Sequence, residues 1–490
     1  MSSPSTAQTA NTADQGLARG RLGVVDIVFL VVSAAAPLTV VVSAAPSAFH
    51  FGGIGGPGAM MFGGLVLLLF AAGFTAMTGY VRNAGAFYAY AARGVNKPYG
   101  LGVAVITIFS YIVLTLSFYA YIGFFGNLLF QDFFGLFSAD IPWWVFSLTV
   151  LAAVAFLGRR SVEVGARTLG VLLTAEVAIL VILAVVVLIK GGPEAPSAAP
   201  FNPQNFLLTS AAAPLLVLAF GAYVGFEGTA IYSEEAKEPR RTIPRATYIA
   251  VSMLALLYGF MFWILTYAFG IEGIQAAAQT EDWPYLTLIA GGTYLGTWAS
   301  YVMEVLIITS FFACLLAFHN GASRYLFAFG REGLLPRRLG HVTSTGAPAT
   351  ASLTMSIISF VAIVIAIVLQ ADPFTQFGLW TYSSGVAGII FSQAATAIAV
   401  VVFFLRDRRG ENVFRVIVAP VLGALGLAVG FILIVLNFEV ISGLGQTENL
   451  LLLSPTPILF IVGIITAYWM KSNRPEKYEN LVADVSDDVA

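Results

Sequence analysis

Charge is what this sequence has least of. Asp, Glu, Lys and Arg make up 10% of its 490 residues, against 58% hydrophobic, and the mean hydropathy is +0.87. So few charges cannot cover a water-soluble domain, and the balance is that of a polytopic membrane protein. Cysteine is almost absent. The single Cys314 lies in an apolar run and excludes an internal disulfide. Histidine is scarce as well. His50, His319 and His341 are far apart, each near a helix end or in a loop, and no metal-ligand spacing joins them. No HExxH and no nucleophile elbow is present, so neither an enzyme nor a cofactor is expected. Gly52-Gly53-Ile54-Gly55-Gly56-Pro57-Gly58 has glycines at phosphate-loop spacing but no strand before it and no Lys-Ser/Thr after it. The net charge of −2 offers no basic footing for a nucleic acid. Met1–Gln15 lacks the basic-then-apolar pattern of a cleavable signal, so the first apolar run reads as a retained helix.

What the chain does have is long apolar runs. Counting stretches of about 20 residues gives twelve expected transmembrane helices. They span 24–50, 57–81, 98–125, 142–158, 168–190, 206–232, 246–270, 285–317, 348–370, 374–405, 413–437 and 454–471. They are numbered one to twelve below. Residues 1–22 and 472–490 read as polar or charged tails, expected to be disordered. Gly191–Pro203, with four prolines, reads as the linker between two halves.

Lysine and arginine set the orientation. With twelve helices, 23 of the 24 fall on one side of the alternation and only Lys190 on the other. The rich side is expected to be cytoplasmic, with both termini inside and the protein in the plasma membrane. Monomer and homodimer remain equally open.

Two helices carry breaks. Helix six contains Phe220-Gly221-Ala222-Tyr223-Val224-Gly225-Phe226-Glu227-Gly228, three glycines and a carboxylate inside an apolar span. Glycine weakens a helix by roughly 1 kcal/mol relative to alanine, and an ionisable residue at membrane depth points to function. The plainer alternative is a helix thinned for close packing, with Glu227 facing a buried partner. Beyond it, Glu234 to Arg245 is charged and holds two prolines, and reads as a loop. Helix one contains Ser33-Ala34-Ala35-Ala36-Pro37-Leu38-Thr39. Pro37 removes a backbone hydrogen bond there and frees carbonyls, which survive in lipid only against a cavity or a partner helix. A simple proline kink is the plainer reading. The two breaks sit at corresponding places in two five-helix sets, 23–190 and 206–405, followed by two trailing helices in 413–471. Five is odd, so the second set must run inverted. Paired broken helices in inverted repeats point to a transporter site near the bilayer midplane.

Further polar groups lie within the apolar runs. Glu176 lies in helix five and is a candidate for proton coupling. The alternative is a carboxylate snorkelling or paired with Arg167. Helix eight carries Glu304 and the pair Thr309-Ser310, whose hydroxyls either bond back to their own backbone or serve a sodium ion.

Four stretches resemble amino-acid permeases of the amino acid–polyamine–organocation superfamily. They are Asn83-Ala84-Gly85-Ala86-Phe87-Tyr88-Ala89-Tyr90; Phe220 to Glu227 with Glu234 to Arg245; Asn320-Gly321-Ala322-Ser323-Arg324-Tyr325 with Gly330 to Pro336; and Gly346-Ala347-Pro348. The resemblance implies an all-α, leucine-transporter-like fold of two inverted five-helix repeats plus two trailing helices. It implies that the helix breaks hold the substrate, with Ser33, Ala34, Ala35, Ala36, Pro37, Leu38 and Thr39 on one side. Phe220, Gly221, Ala222, Tyr223, Gly225 and Phe226 lie on the other. It implies a coupling or gating role for Glu227. It places Glu176 where several proton-coupled relatives carry a lysine near a vacant sodium site. The implied function is secondary active import of an amino acid or related amine, coupled to protons. An exchanger of amino acids or polyamines, or a sodium symporter using Thr309 and Ser310, remains open. One departure bears on substrate. Many relatives carry Gly-Ser-Gly at the helix-one break, and here Ala36-Pro37-Leu38 stands in its place. Proline offers no amide to a carboxylate, so an amine or a decarboxylated or longer-chain substrate gains ground.

Overall fold

The structure is a computed structural model, and it describes residue 20 and residues 22–81, 87–134, 141–158, 163–232, 236–343 and 347–481. Asn83–Ala86, Glu234–Glu235 and Gly346 of the family-like stretches lie outside the described residues, as do 1–19 and 482–490. Among the described residues the only extended pairing is one isolated bridge, and everything regular is helical.

Nine described runs are long and apolar enough to cross a bilayer. Val24–Met77 covers two of the expected helices, while the shorter Trp143–Leu157 and Ala212–Gly221 occupy two others. Outward faces are apolar: Val185, Ile189, Leu256, Ile365 and Ile461 are all exposed. In water such a surface would aggregate; in lipid it is the wall. Inside, Lys97–Phe134 is the central pillar, packed against Thr297–Arg331, Trp380–Arg406 and Pro455–Asn473. Gly56–Met77 lies along Pro239–Phe269.

The structure differs from the expected spans in several places. The 285–317 run is two helices, Leu286–Leu295 and Thr297–Arg331, broken at Gly296 with φ +98°. Only glycine takes that conformation readily, and apolar periodicity on both sides hid the break. The stretch Pro239–Arg245 is helix rather than loop, the start of Pro239–Phe269. Pro239 occupies the first helical turn, where a missing N–H costs nothing. Pro244, inside the helix, forfeits one bond close to that end. Helix six, expected over 206–232, is helical only as Ala212–Gly221 and Gly228–Ile231. Within the C-terminal stretch read as a disordered tail, Pro475–Glu479 forms a helical turn. Lys97 Nζ ties it down by donating to the Tyr478 and Glu479 carbonyls at 3.0 and 2.7 Å.

One backbone contact joins the two broken helices. Lys237 N–H donates to the Leu22 carbonyl at 2.8 Å, next to the Leu22–Ala236 bridge. The segment entering helix one is thus pinned to the segment leaving helix six.

Candidate functional site

Helix one ends its first half at Ala35 and restarts at Pro37. Ala36, between them, is left-handed at φ 45° and ψ 71°, a conformation that costs an L-residue roughly 1–2 kcal/mol. Its N–H closes the first half by donating to the Val32 and Ser33 carbonyls at 3.0 and 3.2 Å. Pro37 takes the first position of the second half, which continues through a π-helical turn at Val40–Ala44 into Ala45–Gly52. Ser43 Oγ supports the junction by donating to the Thr39 carbonyl at 2.6 Å.

Helix six breaks after Gly221. Tyr223 and Val224 donate to the Phe220 and Gly221 carbonyls at 3.2 and 3.1 Å, turns tighter than α. Gly225 then reverses the backbone at φ +111°. The two breaks meet there: a Cβ on Gly225 would stand 3.2 Å from Ala34 Cβ and 3.7 Å from the Ala34 carbonyl carbon.

Freed carbonyls find donors on neighbouring helices, as the low-dielectric interior demands. Ala34 O accepts the Cys314 thiol at 3.0 Å, and Ala35 O accepts the Tyr258 hydroxyl at 3.1 Å. Thr287 Oγ1 donates to the Val41 carbonyl at 2.7 Å.

A small cavity opens against both breaks. Ala34, Ala35, Ala36 and Thr39 line it from helix one, and Leu218, Gly221 and Val224 from helix six. Phe118, Tyr121, Phe311, Phe374 and Tyr382 form an aromatic wall, with Cys314 between. Ser33, Pro37 and Leu38 are buried beside this cavity without lining it. Of the helix-six candidates, Phe220, Ala222, Tyr223 and Phe226 do not line it. Phe220 packs on Gly430, Tyr223 donates to the Met60 carbonyl at 2.7 Å, and Phe226 meets Phe70 edge-on at 6.0 Å. Gly225 lines a second, smaller cavity with Leu30, Val31, Tyr111, Gly228, Tyr232, Phe318 and Arg324. Ala34 belongs to both, so its contact with Gly225 stands between the two spaces. At the far end of the second cavity Arg324 lies over the Tyr232 ring at 4.7 Å.

Two buried carboxylates frame the breaks. Glu176, on Glu163–Lys190, is 3% exposed and accepts Ser310 Oγ at 2.7 Å and the Leu38 backbone amide. It is therefore not snorkelling to solvent, and its carboxylate caps the restart of helix one. Thr309, the other hydroxyl of that pair, bonds back to the Leu306 carbonyl at 2.9 Å. Glu227 is fully buried. It accepts Tyr111 Oη at 2.8 Å, the Gly225 amide at 3.0 Å and its own backbone amide. Glu304 lines a separate cleft with Asp282, Tyr285 and Ser300.

The combination is a membrane protein, helical throughout its described regular structure, whose two interrupted helices face one mostly apolar cavity. The sequence pattern of the amino acid permease family matches residues 22–466, and the chain belongs to that family and so to the amino acid–polyamine–organocation superfamily. It is a membrane transporter of amino acids or amines, not an enzyme. It is 26% identical to the branched-chain amino acid permease BcaP of Lactococcus lactis subsp. cremoris (strain MG1363), over 68% of this chain and 67% of that one. It is 23% identical to the low-affinity putrescine importer PlaP of Escherichia coli (strain K12), over 75% and 78%. An uncharacterized transporter of Mycobacterium tuberculosis (strain ATCC 25618 / H37Rv) is 27% identical over 72% and 73%.

Proposed function

We propose that the protein is a proton-coupled secondary active transporter that imports an amino acid or related amine across the plasma membrane by alternating access. The reading includes twelve helices, two inverted five-helix repeats with two trailing helices, and both termini in the cytoplasm. The observation that carries it is the cavity built on two broken helices, closed toward a second cavity by the Ala34–Gly225 contact. Separating those segments would join the two spaces and open a path through the bilayer. The packing of helix two on helix seven and of helix three on helix eight pairs members at matching places in the two sets. The named relatives, a branched-chain amino acid permease and a putrescine importer, bracket the substrate chemistry.

Glu176 supports proton rather than sodium coupling. Its carboxylate accepts the Ser310 hydroxyl and the Leu38 amide, so the polar groups beside the helix-one break serve a titratable side chain. Its protonation changes the capping of the segment that holds the substrate, and a substrate that shifts one equilibrium must be shifted by the other. Glu227, bonded to Gly225 at the other break, is the second candidate. Purified protein in proteoliposomes should accumulate radiolabelled substrate under an inward pH gradient and not under a sodium gradient. Accumulation under sodium alone would refute the proton assignment. One-for-one exchange with no net accumulation would make the protein an antiporter.

A further inference from the structure

Most of the amides at the two helix breaks are already in use. Pro37 has no N–H. The Leu38 amide is held by Glu176, and the Gly225 and Glu227 amides by the Glu227 carboxylate. The amides of Ala36, Tyr223, Val224 and Phe226 donate to backbone carbonyls. Among the described residues no lysine or arginine lines the cavity. A ligand carboxylate there would meet no free amide among these and no cation, and would lie near two acidic side chains.

Cation-seeking groups are abundant by contrast. The first halves of helices one and six, Val24–Ala35 and Ala212–Gly221, both present their C-terminal ends to the cavity. Helix C-termini carry partial negative charge and stabilise cations. The Ala34 and Ala35 carbonyls each accept one bond from a side chain, and a carbonyl oxygen has two lone pairs. Thr39 lines the cavity, and its Oγ1 is buried without a hydrogen-bond partner. Such an orphan is costly unless a ligand satisfies it. Away from the breaks Phe118, Phe311, Phe374, Leu218 and Val224 are apolar, and Tyr121, Tyr382, Ser43 and Ser47 add hydroxyls but no carboxylate, so a second ammonium finds no counter-ion in the wall.

From this arrangement we propose that the substrate is a monoamine without a carboxylate: one ammonium group held between the helix-one and helix-six C-termini and Thr39, with an apolar body against the aromatic wall. The proposal rests on the reading of this cavity as the transport site. Amino acids are disfavoured by their carboxylate, and diamines such as putrescine by their second ammonium.

A matched set of probes separates these chemistries: 3-methylbutylamine, leucinamide, leucine and 1,4-butanediamine. Binding is read by thermal stabilisation of the purified full-length protein, and transport by counterflow into proteoliposomes. The monoamine and the amide should bind at least about tenfold more tightly than leucine or the diamine, the scale of one uncompensated buried charge. Thr39→Val should weaken the monoamine several-fold. Preference for leucine over 3-methylbutylamine overturns the proposal and leaves the transporter reading intact. So does inertness of all four when another amino acid from the standard twenty exchanges. If that panel is inert as well, the transporter reading fails with it.

Discussion

Gly225 is the position where the account is easiest to break. Its φ of +111° is one that L side chains rarely adopt, and an added Cβ would press on Ala34 Cβ at 3.2 Å. The backbone strain alone costs on the order of 1–3 kcal/mol. The contact adds a displacement of a few tenths of an ångström in the segment that carries the Cys314 and Tyr258 bonds. Gly225→Ala should lower the stability of the purified protein by about 1–3 kcal/mol and reduce uptake. Gly225→Leu puts further atoms at the junction of the two cavities and should abolish uptake while the protein still inserts and elutes as one species. The contact term can be isolated. Ala34→Gly removes the opposing methyl, so the double variant Gly225→Ala/Ala34→Gly should be more stable than additivity allows, by about 0.5–1 kcal/mol. Backbone strain would persist in that double variant, so recovery should be partial. Thermal unfolding in detergent reads the stability and proteoliposome flux reads the function. Strict additivity, or normal uptake by Gly225→Leu, would refute the claim that these two breaks meet.

Three other expectations follow from single contacts. Tyr111→Phe deprives the fully buried Glu227 of a donor and should cost about 1.5–3 kcal/mol of stability; in a Glu227→Gln background the same change should cost less than half as much. Ala36→Gly relieves a left-handed alanine at φ 45° and should raise stability by up to about 1 kcal/mol; a loss of similar size would mean that the alanine methyl packs better than the strain hurts. For topology, an introduced thiol in Gly191–Gln204 should be labelled by an impermeant reagent from outside and one in Lys237–Arg241 should not; the reverse pattern would invert the orientation.

Much of the helical architecture was legible because apolar length is a one-dimensional signal. The breaks were legible too, since Pro37 and the Gly221–Gly228 cluster are local disruptions. The helix-one break nevertheless falls on Ala36, because Pro37 is better used as the first residue of the second half. Gly296 could not be told from the many glycines that sit quietly inside these helices. The cavity wall was not legible at all. Phe118, Tyr121, Phe311, Phe374 and Tyr382 come from three distant runs in which aromatic residues are common, and only packing selects these five. Tyr111 as the partner of Glu227, and Leu38 as a ligand of Glu176, likewise depend on which helices touch. Composition carried the membrane environment, local disruption carried the site's location, and side-chain contacts across helices had to come from the structure.

The most direct test of proton coupling uses Glu176→Gln in proteoliposomes. The variant keeps the shape of the side chain and removes its titration, so it should bind substrate and exchange it with both sides at equal pH. It should not concentrate substrate under an inward pH gradient that drives accumulation by the parent protein. If Glu176→Gln accumulates substrate under that gradient as well as the parent does, Glu176 does not carry the coupled proton.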